Sequence, residues 1–383
     1  MRFQVAKQDL EAALQVVTPS LSGTGTGVTT HYAFRRTGTK EGGYGVEVIT
    51  CSERLFSSCP LKAKVDDPGK KGSFTVEGKR LQKWLSNVAN AALDFTFDEE
   101  DSEVVAKAPR GKQTFQSLQP DSRFTWAAEL KDAESKATIP AERLAKALSY
   151  SARFTSAKES EEPELCTSEA KEGILYSTDR KAVSLIRVAG LEESNLRIHG
   201  KDAGGFLTFL GSFDNTDVEV LEHDRMLIFQ RGDGAVFGAT RFQAPFPGIN
   251  IDMDSDDHHV WTLDKGEISE AIGFLTSGAS WEDNRLRLSP GEADGEVVFS
   301  MVSATGKTTT LTLNCTEHSS ADGAPEVPDD GFVIDHFLLA KVLGVWKADQ
   351  IPLGITITGN RGFVRFVTEQ DDDKYLTILA WLR

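Results

Sequence analysis

Short apolar alternations that switch abruptly to helical spacing punctuate this chain. At its start Phe3 and Val5 alternate with polar residues, and Leu10, Ala13, Leu14 and Val17 then follow at spacings of three and four. Period two reads as a strand and period 3.6 as a helix. The opening MRFQVAKQDLEAAL therefore predicts a strand running directly into a short helix. The same switch returns in ATIPAERLAKAL at Ala137–Leu148 and in WTLDKGEISEAIGFL at Trp261–Leu275. Three roughly even copies in 383 residues indicate an internal repeat.

Each repeat holds a second cassette of the same kind, at Ser73–Leu85, Leu196–Leu210 and Gly331–Leu343. A meander of two or three strands follows each one, broken by the turns EED and PRG, EHD and RGDG, and GNRG and EQDDD. β-Branched and aromatic alternation bounded by Gly, Asn and Asp is the signature of hairpins. Between the cassettes lie further strands: Tyr44–Cys51 with Leu55–Val65, Gly173–Ser177 with Ala182–Ala189, and Arg285–Leu288 with Val297–Val302 and Thr309–Cys315. The expectation is an α+β protein of three repeated domains, 1–130, 131–257 and 258–383. Each would carry two helices packed side by side on antiparallel sheets. The junctions AELKDAESK and IDMDSDDHH are charged, lack apolar periodicity and read as solvated linkers.

Composition narrows the class. No stretch approaches the length of continuous apolar residues that a membrane helix needs, and the first ten residues lack the apolar core of a secretory signal. An intracellular, cytoplasmic protein is expected. Its four cysteines are scattered without zinc-ligand spacing, so free buried thiols are expected and no structural metal. The formal charge of −16 argues against phosphate binding over the whole surface, but leaves room for a local basic face.

Motifs that suggest chemistry fail on their context. Gly306-Lys307-Thr308 ends like a phosphate loop, yet Met301 stands where the first glycine belongs, and Thr-rich strand pattern follows. A hairpin turn is expected there. The run from Asp252 to His259 lacks the Gly and Glu of a calcium loop, with Asp257 and Leu263 in their places. The GTGTG at 23–27 follows a helix where a dinucleotide fingerprint needs a strand. The seven histidines form no recoverable catalytic set, so neither an enzyme nor a cofactor is expected.

Several stretches together resemble the bacterial sliding clamp, the beta subunit of DNA polymerase III, including related phage clamps. They are the opening MRFQVAKQDLEAALQVV, the segment YSTDRKAVSL at Tyr176–Leu185, RFQAPFPGINI at Arg241–Ile251, and the tail YLTILAWLR at Tyr375–Arg383. The resemblance spans the chain in three domains and implies a clamp fold, a head-to-tail ring dimer whose helices line a hole around duplex DNA. It also implies sequence-independent DNA binding and docking of polymerase and clamp loader through short peptides. The implied function is a processivity factor for DNA replication, with nucleoid association. A β-rich scaffold or adaptor that does not touch DNA is the alternative.

Charge bears on that implication. The six predicted helices hold eleven basic and eight acidic residues, a net of +3 within a chain of −16. Candidate DNA-facing residues are Lys79, Arg80, Lys83, Arg143, Lys146, Arg153, Lys201, Lys341 and Lys347. The bland reading of such charges is solvation of exposed helix faces. By position the implied peptide cleft is walled by Leu165, Thr178, Val183, Pro247, Ile251, Thr377, Ile378, Leu379, Ala380 and Trp381. Exposed apolar grooves of this kind accept Leu and Phe anchors, although the same residues also read as the core of strand ends. The implied dimer interface falls on Phe274 and Leu275, with Phe115 opposite. Departures from the family are Arg180-Lys181-Ala182 where Gly-His-Arg is usual, Gly and Thr in place of a basic residue and prolines after the first helix, and a tail without its Met-Pro-Met.

Overall fold

The computed structural model describes residues 1–22, 27–39, 43–66, 72–119, 132–212, 216–223, 225–242, 246–249, 251–279, 284–303, 305–359, 361–370 and 372–382. Its first repeat runs β1 (Arg2–Ala6), α1 (Lys7–Val17), β2 (His31–Thr39), β3 (Gly43–Cys51), β4 (Leu55–Leu61), β5 (Ala63–Val65), β6 (Ser73–Glu77), α2 (Gly78–Ser86), β7 (Ala92–Asp98), β8 (Glu103–Ala108) and β9 (Gly111–Gln116). The second runs β10 (Glu134–Pro140), α3 (Ala141–Ser151), β11 (Thr167–Lys171), β12 (Ile174–Thr178), β13 (Ala182–Arg187), β14 (Arg197–His199), α4 (Gly200–Gly211), β15 (Asp217–His223), β16 (Met226–Arg231) and β17 (Val236–Thr240). The third runs β18 (His259–Asp264), α5 (Lys265–Gly278), β19 (Arg285–Pro290), β20 (Glu296–Val302), β21 (Thr308–Asn314), β22 (Glu317–Ser320), β23 (Phe332–Asp335), α6 (His336–Leu343), β24 (Gln350–Thr358), β25 (Arg361–Gln370) and β26 (Asp373–Ala380).

The switch from strand to helix thus occurs six times, and its geometry repeats. The opening strand of each repeat pairs antiparallel with the first strand of that repeat's meander: β1 with β7, β10 with β15, and β18 with β24. The first residue of the following helix then donates its backbone N–H to the turn entering that meander. The bonds are Lys7 to Ala91 O at 3.0 Å, Ala141 to Thr216 O at 3.0 Å, and Lys265 to Asp349 O at 2.7 Å. One otherwise unpaired helix N-terminal donor is satisfied the same way in every repeat.

The chain divides into two compact units, Met1–Leu148 with Gly190–Gln243, and Ser149–Ala189 with Ala244–Arg383. In the first unit a five-stranded sheet has the order β5-β1-β7-β8-β9, and an eight-stranded sheet the order β10-β15-β16-β17-β4-β3-β2-β6. The second unit contains β11-β12-β13-β26-β25-β24-β18-β22 in one sheet and β21-β20-β19-β23 in another. Sheets therefore run across the repeat boundaries: β17 pairs with β4, and β26 with β13.

Alternation places the core. On β1, Phe3 and Val5 point inward, and Phe3 meets Phe34, Phe74 and Phe95 with ring centroids 5.2–6.1 Å apart. Burying four such rings in one layer contributes roughly 2–3 kcal/mol each. Helix α1 buries Leu10, Ala13, Leu14, Val16 and Val17 and stops before Pro19. Its buried last carbonyl, Val17 O, accepts hydrogen bonds from Ser20, Thr50 and Ser57 hydroxyls at 3.1, 2.6 and 3.1 Å.

Three strands, β2, β11 and β22, lie outside the hydrophobic pattern, and one expected linker differs as well. Strand β2 (HYAFRRTGT) carries two arginines and a glycine through its second half, which hides its alternation. The segment 252–258, expected to be a solvated linker, instead packs on β25. Met253 is buried, and the buried Arg365 guanidinium donates to Ser255 O, to Met253 O at 3.3 Å and to the Asp257 carboxylate at 3.1 Å. Burial raises the Asp257 carboxyl against the opposing pull of Arg365. The stretch expected at Gly306 is a hairpin turn, with β20 and β21 joined by the Ser303 N–H to Lys307 O bond at 2.7 Å. Residues 23–26 and the first junction up to residue 131 lie outside the described residues. Among the described residues no group of three or more metal-ligating side chains converges, and no helix is long and apolar enough to cross a membrane.

Candidate functional site

Cationic side chains gather on the outward faces of the helices. Helix α2 buries Gly78, Leu81 and Leu85, which leaves Lys79, Arg80 and Lys83 exposed on the opposite face. Arg80 lies 3.8 Å from Glu77, a loose exposed pair that leaves its charge largely available to solvent. On α3, Arg143 and Lys146 are half-buried, and Lys146 pairs with Glu142 at 3.0 Å. Lys201 is exposed on α4 beside Asp202, whose carboxylate is taken up by Arg54 at 2.7 Å. In the second unit Lys341 Nζ donates to Arg153 O at 2.8 Å, bringing two of the candidates together, and Lys347 is exposed beyond the end of α6. The six observed helices hold nine basic and six acidic residues, still a net of +3.

The second unit also carries a partly exposed apolar surface. Register sets Val183 opposite Ile378, and Ile378 opposite Arg365, on neighbouring strands of one sheet face. Leu185, Met253, Leu376 and Ile378 are buried at its centre, with Tyr176, Val183, Ile251, Phe363 and Val367 half-buried around them. Phe246 extends it, its ring 6.4 Å from that of Tyr176, and Pro247 is half-buried next to Phe246. Three of the expected wall residues, Val183, Ile251 and Ile378, therefore belong to one apolar cluster. Strand register brings Phe363 to this face, and the ring contact with Tyr176 brings Phe246, neither of which hydrophobic periodicity encodes.

Of the remaining wall residues, Ala380 shares the face of Ile378, opposite Phe363, and others sit elsewhere. Alternation turns Thr377 and Leu379 to the opposite face, where both are buried and Thr377 Oγ1 lies 2.6 Å from the hydroxyl of Tyr150. Burial raises the Tyr150 phenol to about 12, so it remains a neutral hydrogen-bonding group. Leu165 is buried in a short 3₁₀ turn. Ala380 ends the strand, its N–H bonded to Lys181 O at 2.9 Å. Trp381 stacks flat on Phe332 with centroids 4.7 Å apart. Gly362 permits that stack, since a Cβ there would come within 2.5 Å of the indole.

A tight turn borders this surface. Thr178 Oγ1 donates to Ala182 O at 2.7 Å, and Asp179 Oδ1 accepts the N–H groups of Lys181 and Ala182 at 3.0 and 2.8 Å. Arg180, at the tip, has φ of 71°, a left-handed conformation that costs a non-glycine residue roughly 1 kcal/mol. This is the position where the resembled family usually has glycine. The Arg180 guanidinium reaches Glu162 at 3.2 Å and Glu164 at 3.5 Å, while Lys181 pairs with the buried Asp335 at 3.3 Å.

Of the three expected interface residues, only Phe274 is exposed, at 56%. Leu275 turns into the core from the same helix, and Phe115 is buried against Trp84 with edge-on rings 6.3 Å apart. The reason is local. Phe115 is the only inward-pointing residue of β9, whose other five residues are all exposed. Beside β9 lies a hollow of about 430 Å³ lined by Trp84, Val88, Pro109, Arg110 and Lys112.

Neither a family profile nor a curated protein matches the sequence. The fold has clear counterparts among solved structures. It is similar to the DNA polymerase sliding clamp of Bacillus subtilis at a TM-score of 0.79 and 14% identity, covering 100% of this chain and 99% of that one. The DNA polymerase III beta subunit of Pseudomonas aeruginosa matches at 0.77 and 14%, over 100% of both chains. That of Thermotoga maritima matches at 0.77 and 11%, over 100% and 99%. At these identities the likeness establishes the fold, which is that of the bacterial clamps from end to end.

Proposed function

We propose that the chain is a sliding clamp, a processivity factor that encircles duplex DNA and tethers polymerase to it without making or breaking a bond. The observation that carries this reading is the end-to-end likeness of its fold to bacterial clamps, reached at low identity. The three repeats, near 1–130, 131–257 and 258–383, are its domains, and the cytoplasm its location. A clamp needs no catalytic group, because confinement is mechanical.

The internal pairing rule supports a head-to-tail ring. The last meander strand of the second repeat, β17, pairs with β4 of the first, and β26 of the third pairs with β13 of the second. The strands that correspond by this rule, β9 of the first repeat and β21 of the third, each end their sheet. Joining β21 of one copy to β9 of the next satisfies both edges and closes a ring of two chains. Phe274, on the helix that packs against β21, would then enter the hollow at Trp84 and Pro109 of the other copy.

The cations on α2, α3, α4 and α6 would meet phosphates, which position a ring without reading sequence. The apolar surface around Tyr176, Val183, Ile251 and Phe363 would take short peptides of the polymerase and the clamp loader through Leu or Phe anchors. Negative-stain images test the reading: closed rings are expected, and isolated, open particles at all concentrations would refute it.

A further inference from the structure

The hollow beside β9 carries more chemistry than a packing cavity requires. Its volume of about 430 Å³ is in the range of small-molecule sites, and Trp84, Val88, Ala108, Pro109, Arg110 and Lys112 line it. The indole is fixed in place, since Trp84 meets Phe95 and Phe115 edge-on with centroids 6.2 and 6.3 Å apart. Among the described residues neither Arg110 nor Lys112 forms an ion pair, and no Asp or Glu lines the hollow. Register sets Lys112 directly opposite Lys107, a like-charge pair that a sheet disfavours. Lys107 has Asp94 across its other side, so the uncompensated charge falls towards β9. The Val88 carbonyl, just past the end of α2, is taken by the Lys7 ammonium at 2.7 Å, which removes a negative end that would repel an anion.

An aromatic wall with unneutralised cations beside it suits a flat apolar group that carries a negative charge. A purely apolar occupant leaves Arg110 and Lys112 without a counter-ion, and a small inorganic anion leaves Trp84, Val88 and Pro109 in water. The chain itself offers the matching pair of groups on α5. Glu270 is exposed one turn before the exposed Phe274 and shares its face. We propose that the hollow binds small aromatic anions, with the aromatic group against Trp84 and the charge on Arg110 and Lys112, and that an occupied hollow keeps the clamp from closing. Binding stands on the hollow alone. Its effect on closure rests on the clamp reading, in which Phe274 of the other copy takes the same place.

Isothermal titration of the full-length protein with naphthoate, against the uncharged naphthamide, tests the site. Naphthoate should bind, and Arg110→Ala combined with Lys112→Ala should weaken it by about tenfold, the scale of hydrogen bonds to a charged group. Naphthamide should bind more weakly and not distinguish the two proteins. Both substituted side chains are exposed, so the double variant should melt like the parent. Phe274→Ala should bind naphthoate at least as tightly as the parent, and naphthoate should shift parent dimers towards monomers in light scattering. Three results would each overturn the site: no heat with naphthoate, equal affinity for acid and amide, or binding kept by the double variant and lost in Val183→Asp. The last of these puts the ligand on the apolar surface of the second unit. Binding at the hollow with no loss of dimers would overturn the effect on closure. A parent that is monomeric throughout would count against the clamp reading and leave the binding result standing.

Discussion

The Lys265 ammonium donates to Trp346 O at 2.5 Å, just past the end of α6, and Lys7 does the same to Val88 O at 2.7 Å past the end of α2. In the first and third repeats, then, the first residue of the first helix neutralises the carbonyl end that follows the second. In the middle repeat Ala141 holds that position and only the backbone bond remains. These two lysines serve the fold. Lys7 also pairs with Glu11 at 3.5 Å, which further removes it from any role towards phosphates.

The contrast gives a first prediction. Lys265→Met should lower stability by about 1 kcal/mol, the scale of a charged hydrogen bond at a helix C-terminus, and leave DNA affinity unchanged. Lys79→Ala should do the reverse, with an unaltered melting curve and weaker DNA binding whose salt dependence is shallower by about one phosphate contact. Thermal melts and filter binding over a salt series separate the two.

The apolar surface predicts a second split. Val183→Asp or Phe363→Ala should weaken binding of a fluorescent Leu/Phe-containing peptide by about tenfold or more while the protein stays folded. Leu379→Ala, on the buried opposite face, should instead cost about 3 kcal/mol of stability, read by urea unfolding.

At the proposed interface, Phe274→Ala should shift the protein towards monomers in light scattering with little change in monomer stability. Phe115→Ala should act oppositely, leaving a cavity under Trp84 that destabilises the first unit by about 3 kcal/mol. An unchanged dimer in Phe274→Ala would exclude that side chain from the interface.

Thiol chemistry offers a pH test. Burial pushes the Cys59 and Cys315 thiols up to about 11 from the ordinary 9.0. A raised thiol favours the protonated folded state, so the contribution to stability is full below about pH 9 and is lost as pH rises through about 11. Alkylation by iodoacetamide should be slow in the native protein at pH 8, accelerate only as pH approaches that range, and become rapid for all four cysteines on denaturation.

Much of this fold is legible in the residues because its unit recurs. The change from alternation at Phe3 and Val5 to helical spacing at Leu10, Ala13 and Leu14 marks a local event, and local events are what periodicity encodes. All six helices fall where that switch places them. The sites are less legible because they depend on partners distant in sequence. Consecutive residues from Thr377 to Trp381 looked like one wall, yet strand alternation splits them between two faces, and only the pairing of β26 with β13 and β25 tells which is which. Arg365 and Asp257 illustrate the same limit, since an acidic stretch reads as solvated until the buried arginine beneath it is known.

The central claim is topological, and retention on DNA tests it most directly. Loaded by an ATP-driven clamp loader onto nicked circular DNA, the protein should stay bound through gel filtration at moderate salt and be released when a restriction enzyme linearises the circle. Equal retention on the circle and on linear DNA with free ends would contradict the ring and with it the proposed function.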